Sequence, residues 1–293
     1  MDTRVLKGKP IAAGIVEEVG RRAAALAGRG VEPCLGVVLA GDDPASRLYA
    51  GSIERAGGGA GIAVETVNLP GGASGAQVQD AIRALADNGS VDGIIVQQPL
   101  PGGVPVSVVD AIPTPKDVDC AAAASLGLLT RGAEVFAPCT PLGVVEMLAS
   151  AGVRIAGSHV AVVGRSAVVG RPLALLLLRK SERGNATVTV CHTGTPDLAT
   201  HTRSADVVVA AMGRPEAIRG DMVREGAVVI DVGVNRIDDP GSERGFRIVG
   251  DVAFDEMLGR ASVVTPVPGG VGALTTALLL RNTVEAAERR ARR

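Results

Sequence analysis

Aromatic side chains are almost missing from this chain of 293 residues, which has no Trp, one Tyr and three Phe. Its core must therefore be built from Ala, Val, Leu and Ile, and a hydrophobic content of 46% supplies enough of them to exclude a disordered chain. No charge of either sign dominates: 30 Lys and Arg face 31 Asp and Glu, interspersed along the sequence. The basic stripe that nucleic-acid binding requires is absent, so no nucleic-acid partner is expected. Cysteine is sparse, and Cys34, Cys120, Cys139 and Cys191 form no C-x-x-C pair, which leaves a zinc site or disulfide framework without support and predicts inert thiols. His159, His192 and His201 lack metal-ligand spacing, and no metal is expected. Long apolar runs are lacking too. The stretch Leu173 to Leu178 cannot span a bilayer, and the first ten residues, MDTRVLKGKP, are charged where a signal peptide needs an apolar run. A soluble, cytoplasmic protein with no membrane partner is expected.

What the chain does have is alternation. Short apolar runs alternate with helical patterns, which predicts βα units, parallel sheets and an α/β fold class. Strands are expected at Cys34 to Ala40, Ile62 to Val67, Gly93 to Val96, His159 to Val163, Ala186 to Cys191, Asp206 to Ala210, Ala227 to Asp231 and Ser262 to Thr265. Helices are expected from about Pro44, from Ser74 to Asp87, after Pro141, and from Gly272 to Arg293. The turn-rich stretch from Thr130 to Pro141 reads as a domain boundary.

After the strand ending at Val163 comes Gly164-Arg-Ser-Ala-Val-Val-Gly-Arg-Pro172 and then a leucine-rich helix. A strand, a Gly-bearing turn and a helix N-terminus can hold a pyrophosphate through free backbone N–H groups and the helix dipole, although the same glycines suit an ordinary βα turn. No Gly-Lys-Ser/Thr ending is present, which excludes a Walker phosphate loop. The next strand ends Cys191-His-Thr-Gly-Thr195, without the carboxylate that usually holds an NAD ribose. That leaves room for a 2′-phosphate, with Arg165 offering a guanidinium fork and Thr193 a hydroxyl, so NADP is the expected cofactor. Two further strand ends, Ala210-Ala-Met-Gly213 and Asp231-Val-Gly-Val-Asn235, put small residues where backbone approaches a flat ligand or simply turns.

In the first half, Gly41-Asp-Asp-Pro-Ala-Ser-Arg-Leu-Tyr49-Ala-Gly-Ser-Ile53 opens a helix on which Tyr49 and Ile53 share a face. Gln97 follows Asp92-Gly-Ile-Ile-Val, and Asp119 ends Lys116-Asp-Val-Asp. Both are polar groups where strands give way to loops, as expected of ligand contacts in an α/β site. Read singly, Tyr49 suits a packing role, Asp119 a turn cap and Lys116 a solvated loop charge.

Together, the strings GDDPAS, DGIIVQQPLP, PTPKDVD, PCTPLGVVEML, GRSAVVGRPLA, ATVTVCHTGT, GAVVIDVGVN, GDVAFDE and TPVPGGVGALTTALLLRNT resemble the methylenetetrahydrofolate dehydrogenase/cyclohydrolase family along nearly the whole chain. The resemblance implies a folate-binding catalytic domain over residues 1–140, completed by the C-terminal helix 272–293. It further implies a Rossmann-like NADP-binding domain over 141–271, a cleft between the two, and a homodimer. Carried over, Tyr49 stacks on the folate, Asp119 bonds its pterin, Gln97 supports the reacting centre, and Gln98, Pro268 and Gly269 line the folate site. By the same resemblance Gly164, Arg165, Ser166, Thr193 and Val234 contact NADP.

The chain departs from the family pattern in three places. The family has Y-x-x-x-K, and the lysine position is Ile53 here. Glu54 and Arg55 lie about 100 and 200 degrees away around the helix, so neither replaces it. Cys120-Ala-Ala-Ala-Ala-Ser125 stands where the family has a glycine, an aromatic, His-Pro and an Asn, and Ala273 stands where Pro is usual. Oxidising the methylene bridge depends chiefly on holding donor and acceptor in line, whereas hydrolysing the methenyl cation needs proton transfers. Losing a general acid/base costs about a hundred- to ten-thousandfold, so the expected activity is NADP-dependent dehydrogenation with feeble cyclohydrolase. A fully bifunctional enzyme, a non-catalytic paralogue and a substrate-shifted dehydrogenase remain as alternatives.

Overall fold

The computed structural model describes residues 2–133, 136–242 and 245–292. Glu134 and Val135 of the turn-rich stretch, and Arg293 of the C-terminal segment, lie outside the described residues. The chain begins with β1 (Arg4–Val5) and α1 (Gly8–Ala27). It continues through β2 (Cys34–Ala40), α2 (Pro44–Gly59), β3 (Ala63–Leu69), α3 (Gly75–Asp87) and β4 (Gly93–Val96). Then come α4 (Ala123–Thr130), α5 (Cys139–Ser150), β5 (His159–Val163), α6 (Gly170–Leu178), β6 (Thr187–Cys191), α7 (Leu198–Arg203), β7 (Val207–Ala210) and β8 (Val228–Asp231). A hairpin of β9 (Asn235–Asp238) and β10 (Phe246–Val249), α8 (Phe254–Met257), β11 (Val263–Val264) and α9 (Thr275–Arg290) complete it.

The chain divides into two compact units. One comprises Ala13–Cys139 with Thr276–Arg293, the other Met1–Ala12 with Thr140–Thr275. In the first, three parallel strands run in the order β3-β2-β4, and β2 is buried along its whole length, as a central parallel strand must be. Helix α3 starts at Ser74, whose hydroxyl accepts from Gln77 N while the Gln77 side chain accepts from Ser74 N, a closed capping box. Its stripe Val78, Ala81, Ile82 and Leu85 then packs into a core with Val38, Val91 and Ile94. Helix α2 starts on Asp43, which accepts from Ser46 N, with Pro44 in its first turn.

The second unit holds six parallel strands in the order β1-β11-β8-β7-β5-β6. The succession reverses at β5, which has β6 on one side and β7 on the other. That is the topological switch point of a doubly wound sheet, where crevices for dinucleotides open at the carboxyl ends of the strands. Residues 2–12 group with this unit rather than with the strands that follow them, because Arg4 and Val5 pair with Val263 and Val264 of β11. Nor is the segment from Gly272 onward one helix: Val271–Ala273 forms a tighter turn, with Ala273 N and Leu274 N donating to Gly270 and Val271 carbonyls, and α9 begins at Thr275. No helix among the described residues is long and apolar enough to cross a membrane.

Candidate functional site

At the switch point β5 runs into Gly164, whose N–H donates to Cys191 O (2.8 Å) at the end of β6. Its φ of +135° is closed to other residues, and a Cβ there would lie 2.1 Å from Ala211 O of the loop after β7. A Cβ on Gly170 would in turn lie 2.1 Å from Gly164 O. The two glycines predicted to shape a nucleotide turn thus let three backbone segments meet at one point. The first amides of α6 are occupied within the turn itself. Val169 N and Gly170 N donate to Ser166 Oγ (3.1 and 3.4 Å), Arg171 N donates to Ser166 O (3.1 Å), and Pro172 has no N–H. The Ser166 hydroxyl acts as the cap, and Arg165 beside it is exposed.

After β6 a tight turn is closed by Thr195 N donating to His192 O (2.8 Å), His192 N to Thr195 Oγ1 (2.9 Å) and Gly194 N to His192 Nδ1 (3.0 Å). Thr193 stands exposed at its tip. The next carboxylate along the chain, Asp197, is engaged in capping α7 through Thr200, and those hydrogen bonds hold its pKa below the ordinary value. Farther along the same edge, Val234 is 70% exposed and borders a cavity of about 340 Å³ that Pro268 and Gly269 also line. Three sequence-predicted residues are therefore brought together within this unit. The Gln98–Pro99 and Val267–Pro268 peptide bonds are cis.

In the other unit, Tyr49 lies half-buried on α2, and Ile53, one turn on, is fully buried with Ala50 and Gly57 on the same face. Gln97 is buried just past β4, its N–H donating to Val38 O (2.9 Å). Ser46 ties α2 to that loop by donating its hydroxyl to the carbonyl of exposed Gln98 (2.8 Å). A parallel bridge between Ile94 and Asp117 brings the turn that carries Asp119 alongside β4. Asp119 accepts from Cys139 N (2.8 Å), and burial pushes its carboxyl above the ordinary range against the pull of that amide.

Several single-residue readings change. Lys116 is no solvated charge: its ammonium donates to the carbonyls of Leu85 (3.5 Å), Ala86 (2.6 Å) and Asn88 (2.8 Å), closing the C-terminus of α3, and desolvation lowers its pKa. The segment Cys120 to Ser125 is held by carboxylates. Asp117 accepts from Ala121 N and Ala122 N (both 2.9 Å), and Asp110 from Ala123 N (2.8 Å), so these two carboxylates occupy the amides that open α4. All four cysteines are free and buried, and burial raises their thiols, Cys34 to about 11 and Cys120 to about 12. Among the described residues, no group of three or more His, Cys, Asp or Glu side chains could hold a metal ion.

Two buried carboxylates went unnoticed in the sequence. Asp231 accepts from Gly233 N, Asp251 N and Val252 N, and Asp251 from four donors on the loops after β7 and β8. The close approach of Asp251 alone demands a glycine at position 233, where a Cβ would lie 2.2 Å from the Asp251 Cγ. No local pattern announces this pairing, since the partners are 20 residues apart.

A doubly wound unit with a glycine turn at its switch point, joined to a second α/β unit, is an arrangement that dinucleotide-linked dehydrogenases use. The chain belongs to the tetrahydrofolate dehydrogenase/cyclohydrolase family. The family's catalytic-domain model matches residues 6–119 and its NAD(P)-binding-domain model residues 138–291. The chain is 48% identical over 290 residues to the bifunctional protein FolD of Nocardia farcinica, covering 99% of each. Among solved structures it is similar to the bifunctional enzyme FolD of Campylobacter jejuni (41% identity, TM-score 0.92, 98% of this chain and 99% of that one). It is also similar to the FolD of Trypanosoma brucei, complexed with NADP cofactor and inhibitor (35% identity, TM-score 0.93, all of both chains). The protein is thus an enzyme, an oxidoreductase of folate one-carbon metabolism.

Proposed function

We propose that this enzyme oxidises 5,10-methylenetetrahydrofolate to 5,10-methenyltetrahydrofolate with NADP. The observation that carries this reading is the Gly164 turn at the switch point, followed by a β6 end that offers Thr193 and no free carboxylate. Arg165, Ser166 and Thr193 would hold the adenosine phosphates, and Gly164 and Val234 would border the dinucleotide, which when bound accepts a hydride at its nicotinamide ring. The hydride leaves the methylene carbon with both electrons of the C–H bond, and the cation left behind is shared by the two flanking nitrogens. No proton is removed, so the chain's task is to orient and to exclude water. Tyr49 would stack on the folate, Asp119 would bond its pterin, Gln97 would support the reacting centre, and Gln98, Pro268 and Gly269 would border the substrate. The functional domains proposed are 1–140 with 272–293 for folate and 141–271 for NADP, in a homodimer.

Hydrolysis of the methenyl product makes a different demand. Water must attack while protons move, and the turn after Tyr49 offers Ile53, which neither gives nor takes a proton. We therefore read the cyclohydrolase step as feeble. A second reading, full bifunctionality, is favoured by the bifunctional names of the relatives at 45–48% identity. One experiment separates the readings: purified protein is mixed with methylenetetrahydrofolate and NADP, then separately with methenyltetrahydrofolate. Absence of NADPH and methenyl product refutes the dehydrogenase, and methenyl consumption well above the buffer rate refutes the feeble hydrolase.

A further inference from the structure

We propose that Asp251 positions the nicotinamide half of the dinucleotide, by holding the loop after β7 so that its backbone carbonyls face the crevice between β5 and β7; this rests on the NADP reading above. Asp251 is fully buried. Its Oδ2 accepts from Met212 N (2.6 Å) and Gly213 N (2.9 Å), and its Oδ1 from Arg214 N and the Asn235 side-chain amide (both 2.9 Å). Three successive amides converge on one carboxylate. In a planar trans peptide the N–H and C=O of the same unit point in opposite directions, so the carbonyls of Ala211, Met212 and Gly213 are turned away from Asp251. That of Ala211 faces Gly164, where an added Cβ would meet it at 2.1 Å. The carboxylate thereby fixes the end of β7 with the Ala211 carbonyl at the switch point and the next two carbonyls on the side away from Asp251.

Asp251 is itself fixed from both sides. Its N–H donates to Asp231 Oδ1 (3.0 Å), its carbonyl accepts from Ile218 N (2.9 Å), and Gly250 O accepts from Glu216 N (3.1 Å). Glycine makes the room: beside the Gly233 contact already described, a Cβ on Gly250 would lie 1.8 Å from Asp231 Oδ2. Asp231 and Asp251 therefore interlock the loops after β7 and β8. In a doubly wound sheet each half receives one mononucleotide. The Gly164 turn and β6 serve the adenosine half, which leaves the nicotinamide half to β7 and β8.

The test compares D251N with the wild-type chain in calorimetric titrations with NADP and with adenosine 2′,5′-bisphosphate, which carries only the adenosine half. Asn keeps the volume but turns an NH₂ toward amide donors, so NADP affinity should fall about tenfold or more while the fragment stays within about twofold. Equal losses for both ligands, or none, overturn the proposal. Wild-type protein that binds neither ligand refutes the NADP reading and this proposal with it. Wild-type protein that binds both while D251N behaves identically refutes this proposal alone. Should D251N fail to fold, N235A, which removes one donor from Oδ1, replaces it. A loss of about threefold for NADP with the fragment unchanged supports the assignment, and any unselective result overturns it.

Discussion

Replacing Asp231 by Asn should abolish a proton-binding site with a midpoint near 6. The carboxyl is 3% exposed, and burial raises its pKa from 3.8 to about 6, against the pull of the amides of Asp251, Val252 and Gly233 and with a small addition from the Asp251 charge. Because the folded pKa exceeds the unfolded one, the folded protein keeps a proton that the unfolded chain has already released between about pH 4 and 6. This stabilising contribution is complete below the unfolded pKa and disappears as pH rises through the folded one. A shift of roughly two units corresponds to about 3 kcal/mol. D231N is uncharged throughout and lacks this slope, so the wild-type advantage should shrink by about 3 kcal/mol between about pH 4 and 7. Carbon-13 NMR of labelled aspartates reads the midpoint directly, the resonance missing from D231N giving the assignment, and urea unfolding of both proteins across that range reads the energy. A midpoint below about 4.5, or a stability difference that does not change with pH, would refute the argument.

Other substitutions test separate elements. G164A puts a Cβ 2.1 Å from Ala211 O at a φ of +135°; it should destabilise its unit by about 2–3 kcal/mol and weaken NADP binding more than tenfold, measured by thermal unfolding and calorimetry. I53K should raise methenyltetrahydrofolate hydrolysis by about tenfold or more, followed by loss of methenyl absorbance; an unchanged rate in a folded variant would show that position 53 does not limit this step. R290A removes the cation from the fully buried Asp92 carboxylate, which Arg290 Nε holds at 2.6 Å and which then keeps, among the described residues, only Cys34 N as a donor; it should cost about 3 kcal/mol in chemical denaturation with little effect on NADP affinity.

Much of this molecule was readable from local pattern. Strands β2, β4 and β5 begin and end where their apolar runs do, because a parallel strand buried on both faces must be apolar along its length. The Gly164 and Gly170 pair was legible as a turn, since each glycine answers a close backbone contact within a few residues or one strand away. Long-range partners were not legible. Strand β1 is two residues long and acquires meaning only beside β11, some 260 positions on. Lys116 looked like a surface charge because nothing nearby in sequence reveals that the end of α3 supplies it with three carbonyls. The α6 amides read as free because they open a helix, whereas the Ser166 oxygen turns back to cap the first of them.

The solitary tyrosine on α2 has an optical consequence. With no Trp and one Tyr, the protein absorbs and emits only weakly in the aromatic band, so a ligand that absorbs in that band stands against little background. Whatever intrinsic emission remains originates at Tyr49, half-buried four residues before Ile53. Quenching of that one fluorophore by an added folate therefore tests the proposed stacking on α2 with the unlabelled wild-type chain, and an unchanged emission on saturation refutes it.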